Sequence, residues 1–212
     1  MTKHIITIDG PVASGKSVVG KLVATAMNYL CLDSGLFYRA AAWACLKDSI
    51  SVNDSTLAEV AVLRSRFEFV VGQMRHRGSP IAAKELQSEA VAQAASKIAT
   101  YSDIRRELTY RMQIAIRNDS YVVSGRDAGT VIAPNAALKV FLWADVPERA
   151  ARVKAADSPL EISRYAGILR DVKERDSQDS ERQHDPLKHT DDMYAIDTTR
   201  MTASDVAGEI VA

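Results

Sequence analysis

The chain has 212 residues, 47% of them hydrophobic, which is enough to bury a full core in one domain with insertions, or at most two domains. Lys+Arg 27 against Asp+Glu 27 gives a formal net charge of zero, so no bulk field recruits a nucleic acid polymer or an anionic membrane. No segment approaches the ~20 apolar residues of a membrane span, and the short apolar run after Lys3 is too brief for a secretory signal.

The first element is the apolar, β-branched run Ile5-Ile6-Thr7-Ile8, which reads as a buried parallel strand ended by Asp9-Gly10. The stretch that follows, Gly10-Pro11-Val12-Ala13-Ser14-Gly15-Lys16-Ser17, fits G-x-x-x-x-G-K-[ST]. Two glycines let the backbone wrap close to a polyphosphate with its N–H groups pointing inward. The next helix adds its N-terminal N–H groups and the positive end of its dipole. Lys16 can reach the outer phosphates of ATP, and the Ser17 hydroxyl can ligate Mg²⁺. Val18, Val19, Leu22, Val23, Ala26 and Met27 recur at helical spacing with Lys21 on the other face, which supplies that helix.

Tyr29 to Leu32 reads as a second strand, closed by the turn signal Asp33-Ser34-Gly35 before a helix through Leu46. Polar residues at the C-terminal end of a parallel strand fall where α/β folds bind ligands, which places Asp33, Ser34, Tyr38 and Arg39 to work. Taken without the upstream loop, Asp33 and Ser34 are better read as helix caps and Arg39 as a solvated charge. Cys31 and Cys45 lie in apolar surroundings without metal-ligand spacing and read as buried free thiols, as suits a reducing cytoplasm.

Residues 48 to 100 interrupt the βα rhythm. Arg66 to Val71 alternates like a half-exposed strand, Gln73 to Gly78 suits its hairpin partner, and Glu85 to Ile98 reads as an alanine-rich helix. This looks like an insertion that covers the site. A helix from Ser102 to about Arg117 follows, in which most of Arg105, Arg106 and Arg111 should be solvated. Tyr121 to Val123 is a third strand, and Arg126 and Asp127 sit at its C-terminal edge. There an arginine can bind phosphate bidentately and an aspartate can accept hydrogen bonds from a base or ribose.

Leu138 to Trp143 is a fourth strand, a helix from Pro147 carries Arg149 and Arg152, and a further helical stretch runs from Ile162 to Glu174. The polar run Arg175 to Arg182 would ordinarily be a mobile surface turn. In a phosphoryl-transfer enzyme the same composition describes a lid that supplies arginines on closure. Tyr194 to Ile196 is a fifth strand, with Asp197 at its end, and Ala203 to Val211 a closing helix. His4, His76, His184 and His189 read as surface residues; His184 and His189 lack the further ligands a zinc site needs.

Along nearly its whole length the chain resembles bacterial cytidylate kinase (CMP kinase), of the nucleoside monophosphate kinase class of P-loop proteins. The resemblance rests on Ile8-Asp9-Gly10-Pro11, on Leu32-Asp33-Ser34-Gly35 with Tyr38-Arg39, on Ala94-Ala95-Ser96 with Ile104-Arg105, and on Gly125-Arg126-Asp127-Ala128-Gly129-Thr130-Val131. Glu174-Arg175-Asp176, Pro186-Leu187 and Ile196-Asp197-Thr198-Thr199 complete it.

It implies an α/β fold of the P-loop NTPase type: a five-stranded parallel sheet with helices on both faces, within one domain spanning 1–212. It further implies a CMP-binding insertion at about 40–100 and a small lid at about 150–182. ATP would lie on Gly10 to Val18, with Arg149 and Arg152 as lid contacts. Residues matching Ser96, Arg105 and Asp127 recognise cytosine, those matching Arg175 and Asp179 meet the sugar, and those matching Arg39, Arg126 and Arg182 hold the acceptor phosphate. Lys16, Arg126 and Arg175 would carry the transfer, and Asp33 would orient Mg²⁺-bound water. The implied partners are ATP and CMP or dCMP, in a cytoplasmic monomer.

Departures are few: Gln87 stands where an arginine is expected, as do Val153 and Gln178 near the lid, and Val18 leaves the Mg²⁺ role to Ser17. A P-loop kinase for another small acceptor, shikimate or a different nucleotide, is the runner-up. A GTPase-like switch is opposed by the lack of an Asn-Lys-x-Asp guanine signature.

Overall fold

Burial of all five residues of β1 (Ile5–Asp9) explains its position in the middle of a sheet. A computed structural model describes residues 3–70, 72–156 and 162–212. The elements in chain order begin with β1, α1 (Lys16–Met27), β2 (Leu30–Asp33), α2 (Ser34–Lys47), α3 (Ser55–Arg64), β3 (Phe67–Val70), β4 (Gln73–His76) and β5 (Ser79–Pro80). They continue with α4 (Ala83–Leu86), α5 (Glu89–Ile98), α6 (Ser102–Ala115), β6 (Tyr121–Gly125), β7 (Leu138–Trp143), α7 (Val146–Ala156), α8 (Ile162–Glu181), β8 (Tyr194–Asp197) and α9 (Ala203–Val211).

The backbone divides into two compact units, one of the residues up to Cys31 together with Asp119–Ala212, the other Leu32–Asn118. A five-stranded sheet runs in the order β2-β6-β1-β7-β8. β1 pairs in parallel with β6 and β7, and β7 with β8. Asp9 stands opposite Gly125 and Phe141, so the chain leaves β1 and β6 at the same edge. On one face Ile6, Ile8, Val122, Val140, Leu142 and Ile196 meet Val19, Val23 and Ala24 of α1 and Val206, Ala207 and Ile210 of α9. Each such aliphatic side chain contributes about 1.5–3 kcal/mol when fully buried. A capping box between Thr202 and Asp205 starts α9, and Asn28 in the left-handed region ends α1.

In the second unit, the buried small residues Ala40, Ala41, Ala42 and Ala44 let α2 pack closely on α5. Phe37 meets Phe67 edge-on and Phe69 at a tilt, tying the antiparallel β3-β4-β5 sheet to α2. Side-chain caps set three helix starts: Asp33 accepts from Gly35 N at 2.9 Å, Asp54 from Leu57 N at 3.0 Å, and Ser88 from Val91 N at 3.4 Å.

Four local expectations are corrected. The helix expected over Glu85–Ile98 is two, α4 and α5, because Ser88 caps a fresh start. Helix α3, begun by Asp54, was not anticipated. The run Arg175 to Glu181 is the last two turns of α8 and not a turn; Arg175, Gln178 and Glu181 are good helix formers, and Asp176 and Asp179, which are poor ones, are held by ion pairs with Arg149 and Arg126. Of the three α6 arginines only Arg106 is solvated. Arg105 is 1% exposed beside the Tyr38 ring, and Arg111 lies 4.5 Å from the Phe67 ring and donates to the carbonyls of Val62 and Ser65 at the end of α3. Val71, and residues 157–161 of the expected lid, lie outside the described residues.

Candidate active site

The phosphate loop leaves β1 through Gly10, whose φ of +151° and close approach to the sheet exclude a side chain. A Cβ there would stand 2.0 Å from the Leu142 carbonyl oxygen. Ala13 (φ 57°) and Gly15 (φ 96°) both take left-handed conformations, so the backbone curls before α1 begins at Lys16. Lys16 is 7% exposed, and its Nζ donates to the Pro11 carbonyl at 2.5 Å and to Ser14 Oγ at 3.3 Å. The ammonium therefore lies across the mouth of the loop. Ser14 is buried, Pro11, Val12, Ala13 and Gly15 are half-buried, and Ser17 and Val18 are exposed on the first turn of α1. This is a concave anion cradle at a helix N-terminus.

Helix α7 buttresses the loop from outside. Arg149, 4% exposed, donates to the carbonyls of Ala144 at 2.8 Å and Val12 at 3.2 Å, and pairs with Asp176 of α8 at 2.7 Å. Arg152 donates to the Thr198 carbonyl at 2.6 Å, to Thr198 Oγ1 at 3.1 Å and to the Ala13 carbonyl at 3.5 Å. Thr198 itself is buried and donates to the carbonyls of Ser14 and Trp143. It joins the end of β8, the loop and α7, a role that its place in Ile-Asp-Thr-Thr did not reveal.

A second cluster forms where the chain leaves β6. Arg126 Nε pairs with Asp179 of α8 at 2.6 Å. Asp127 is 3% exposed and lies 3.5 Å from Arg182, which also lies 3.9 Å from Asp179 and donates to the Asp185 carbonyl. Arg126, Arg182, Asp127 and Asp179 thus form one alternating network in the first unit. Its two guanidiniums suit an anion and its carboxylates suit hydroxyl or amino donors. Arg175 is exposed on the same helix.

A π-helical turn over Ala128–Ile132 follows this cluster, and Asp9 anchors it. Its two carboxylate oxygens accept from Ala128 N at 2.8 Å and Gly129 N at 2.7 Å. Burial pushes the Asp9 carboxyl up from 3.8 to about 6, against the pull of these two N–H groups. Sequence reading assigns Asp9 no site role beyond ending a strand and belonging to the Ile8-Asp9-Gly10-Pro11 run; an acidic residue closing a β-branched, mostly apolar run was the available signal.

The other expected site residues belong to the second unit. Asp33 caps α2 and Ser34, 5% exposed, is its first residue. Tyr38 lies 5.5 Å from the Arg105 guanidinium, and Arg105 donates to the Ala99 carbonyl at 3.2 Å. Arg39 donates to the Leu86 carbonyl at 2.9 Å, and Ser96 is exposed on α5. Both cysteines are free thiols; Cys45 is buried, and burial pushes it up to about 11, which makes it a poor nucleophile. Cys31 is half-buried rather than buried, because β2 lies at the sheet's edge.

No group of three or more His, Cys, Asp or Glu side chains among the described residues could hold a metal by itself. The loop offers instead one hydroxyl, Ser17, at the lip of an anion cradle. That donor set fits Mg²⁺, which keeps waters and shares its coordination with a nucleotide's phosphates. Among the described residues no helix is long and apolar enough to cross a membrane.

Comparison with known proteins agrees with this chemistry. The sequence profile of the family described as cytidylate kinase matches residues 6–212. A cytidylate kinase of Bacillus licheniformis is 35% identical over 214 residues, covering 99% of this chain and 95% of the relative. One from Listeria monocytogenes is 36% identical over 216 residues, covering 100% and 96%. Among solved structures, an uncharacterized protein from Eubacterium ventriosum superposes with a TM-score of 0.55 at 12% identity, covering 99% of this chain and 96% of that one, a likeness of fold.

Proposed function

The chain belongs to the cytidylate kinase family, and from that we propose that it transfers the γ-phosphoryl group of ATP to CMP and dCMP, giving CDP and dCDP, in pyrimidine nucleotide metabolism. The observation that carries the reading at the level of chemistry is the coexistence, at one edge of the sheet, of an anion cradle closed by Lys16 and a turn carrying Arg126.

Phosphoryl transfer asks for little proton chemistry. An oxygen of the CMP phosphate attacks in line, and the protein's work is positioning and charge neutralisation. Lys16 and the backbone N–H groups of Gly10 to Val18, of which Pro11 has none, hold the donor, with Arg149 and Arg152 reaching it from the lid. Ser17 would hold Mg²⁺, which would supply charge neutralisation for the donor phosphates, and Asp33 would orient a water bound to it. Arg39, Arg126 and Arg182 hold the acceptor phosphate. Ser96, Arg105 and Asp127 read the cytosine edge, Ser34 and Tyr38 also bind CMP, and Arg175 and Asp179 meet the sugar. An aspartate that accepts from whichever ribose hydroxyl is present also admits dCMP.

The segment at about 40–100 serves as the CMP-binding insertion and the segment at about 150–182 as a lid. Lid closure brings Arg175 to the transferred phosphoryl and excludes water, which would otherwise compete as acceptor. The reading includes a monomer working in the cytoplasm.

Incubation with γ-labelled ATP, Mg²⁺ and CMP tests the reaction itself. The label should appear in CDP with release of ADP. Label found only in inorganic phosphate would mean that water, not CMP, is the acceptor.

A further inference from the structure

Asp9 has no role in the reaction outlined above, yet it sits between the two halves of the transfer chemistry. It ends β1, and the next residue opens the phosphate loop with a backbone that only glycine adopts in that space. Across the sheet edge its oxygens are divided between two consecutive N–H groups, Ala128 and Gly129, immediately after Arg126 and Asp127. Gly129 is held close for the same reason: a Cβ on it would stand 2.8 Å from Thr7 Oγ1 and 3.2 Å from Asp9 Oδ2. The carboxylate is fully buried, and the charged groups acting on it are Asp127, which repels its charge, and Lys16, which favours it.

A buried carboxylate disfavoured by its surroundings is an expensive way to tie two loops together, and a neutral side chain or a longer turn would do so at lower cost. What the carboxylate alone supplies is a two-pronged acceptor of fixed geometry. Each prong takes one N–H of a turn whose irregular backbone has no strand or helix ladder to set its height.

We propose that Asp9 is a positioning residue for phosphoryl transfer, fixing the 126–129 turn relative to the phosphate loop so that Arg126, on the phosphate, and Asp127, on the base, present the acceptor nucleotide in line with the donor. The inference rests on the reading that Arg126 and Asp127 bind the acceptor. Sub-ångström placement matters here because in-line attack depends steeply on the distance and angle between the reacting atoms.

The test is steady-state kinetics on Asp9→Asn, with CMP and ATP varied separately, beside direct ATP binding. The amide keeps the shape but offers one carbonyl and one NH₂ where two acceptors are needed, so one of the two N–H groups loses its partner. The expected result is a fall in kcat/KM for CMP of roughly tenfold to a hundredfold, with the KM for ATP and the ATP affinity within about threefold of the parent. Gly129→Ala perturbs the same contact from the turn side and should reproduce the split, which keeps the test open if Asp9→Asn folds poorly. Equal weakening of ATP and CMP binding, seen as matching rises in the two KM values, or unchanged kinetics in the two variants, would overturn the proposal. Arg126→Ala separates the premises. If it turns over CMP normally, the acceptor assignment fails; if it is crippled while Asp9→Asn and Gly129→Ala keep the parent's kcat/KM for CMP, the positioning role alone fails.

Discussion

Replacing Asp9 by asparagine should change how stability depends on pH. Burial raises this carboxyl from 3.8 to about 6, so between those values the folded protein holds a proton that the unfolded chain has released. The group's favourable contribution is complete below about pH 3.8 and is lost as pH rises through about 6. At about 1.4 kcal/mol per pH unit, the gap of roughly 2 units amounts to about 3 kcal/mol by pH 8. Between pH 5 and pH 8 about 1–2 kcal/mol of it is lost.

Asparagine carries no titration, but it leaves a buried N–H facing an amide donor, a pH-independent cost of about 1–3 kcal/mol. The variant should therefore be the less stable protein at pH 5, and its deficit should shrink by about 1–2 kcal/mol by pH 8. Urea unfolding followed by tryptophan fluorescence at pH 5, 6, 7 and 8 measures the difference between the two. The difference cancels groups with the opposite trend, such as Asp197, which hydrogen bonds from Thr199 hold below its ordinary value. A difference that stays flat across this range would refute the burial argument for Asp9.

Three substitutions probe other parts of the account. Gly10→Ala places a Cβ 2.0 Å from the Leu142 carbonyl, and should lower stability by about 2 kcal/mol or more in thermal unfolding while weakening ATP binding. Arg126→Ala should reduce kcat/KM for CMP on the order of 10²–10³-fold with ATP binding preserved and only a small fall in the unfolding midpoint from the lost Asp179 pair. Asp127→Ala should raise the KM for CMP about tenfold or more with a much smaller effect on ATP; equal changes would mark Asp127 as structural.

Much of the sheet could be read from the sequence because each parallel strand is a short apolar run that ends in a polar turn. Ile5 to Ile8 before Asp9-Gly10 and Tyr121 to Val123 before Ser124-Gly125 are of this kind. The phosphate loop was legible because its glycines and Lys16 do local work.

What sequence reading missed depends on partners distant in the chain. Arginine is normally solvated, and nothing near Arg105 or Arg111 announces the rings of Tyr38 and Phe67 that shelter them. The last turns of α8 contain no apolar stripe, yet Arg126, Arg149 and Asp127 lie across from Asp179, Asp176 and Arg182, so charge pairs do the holding that apolar burial does elsewhere. Asp9 meets N–H groups 119 and 120 residues away. Periodicity and local propensity carry no record of such pairings.

The most direct measurement of the central claim is ADP release from ATP and Mg²⁺ with CMP, dCMP, UMP, AMP, GMP and shikimate supplied separately. The account predicts rapid turnover with CMP and dCMP and at least about a hundredfold lower kcat/KM for the purine nucleotides and shikimate, whose hydrogen-bonding edges leave a cytosine pocket's polar groups unpaired. Turnover with a purine nucleotide or shikimate at the rate of CMP, or with none of the six while ATP still binds, would contradict it.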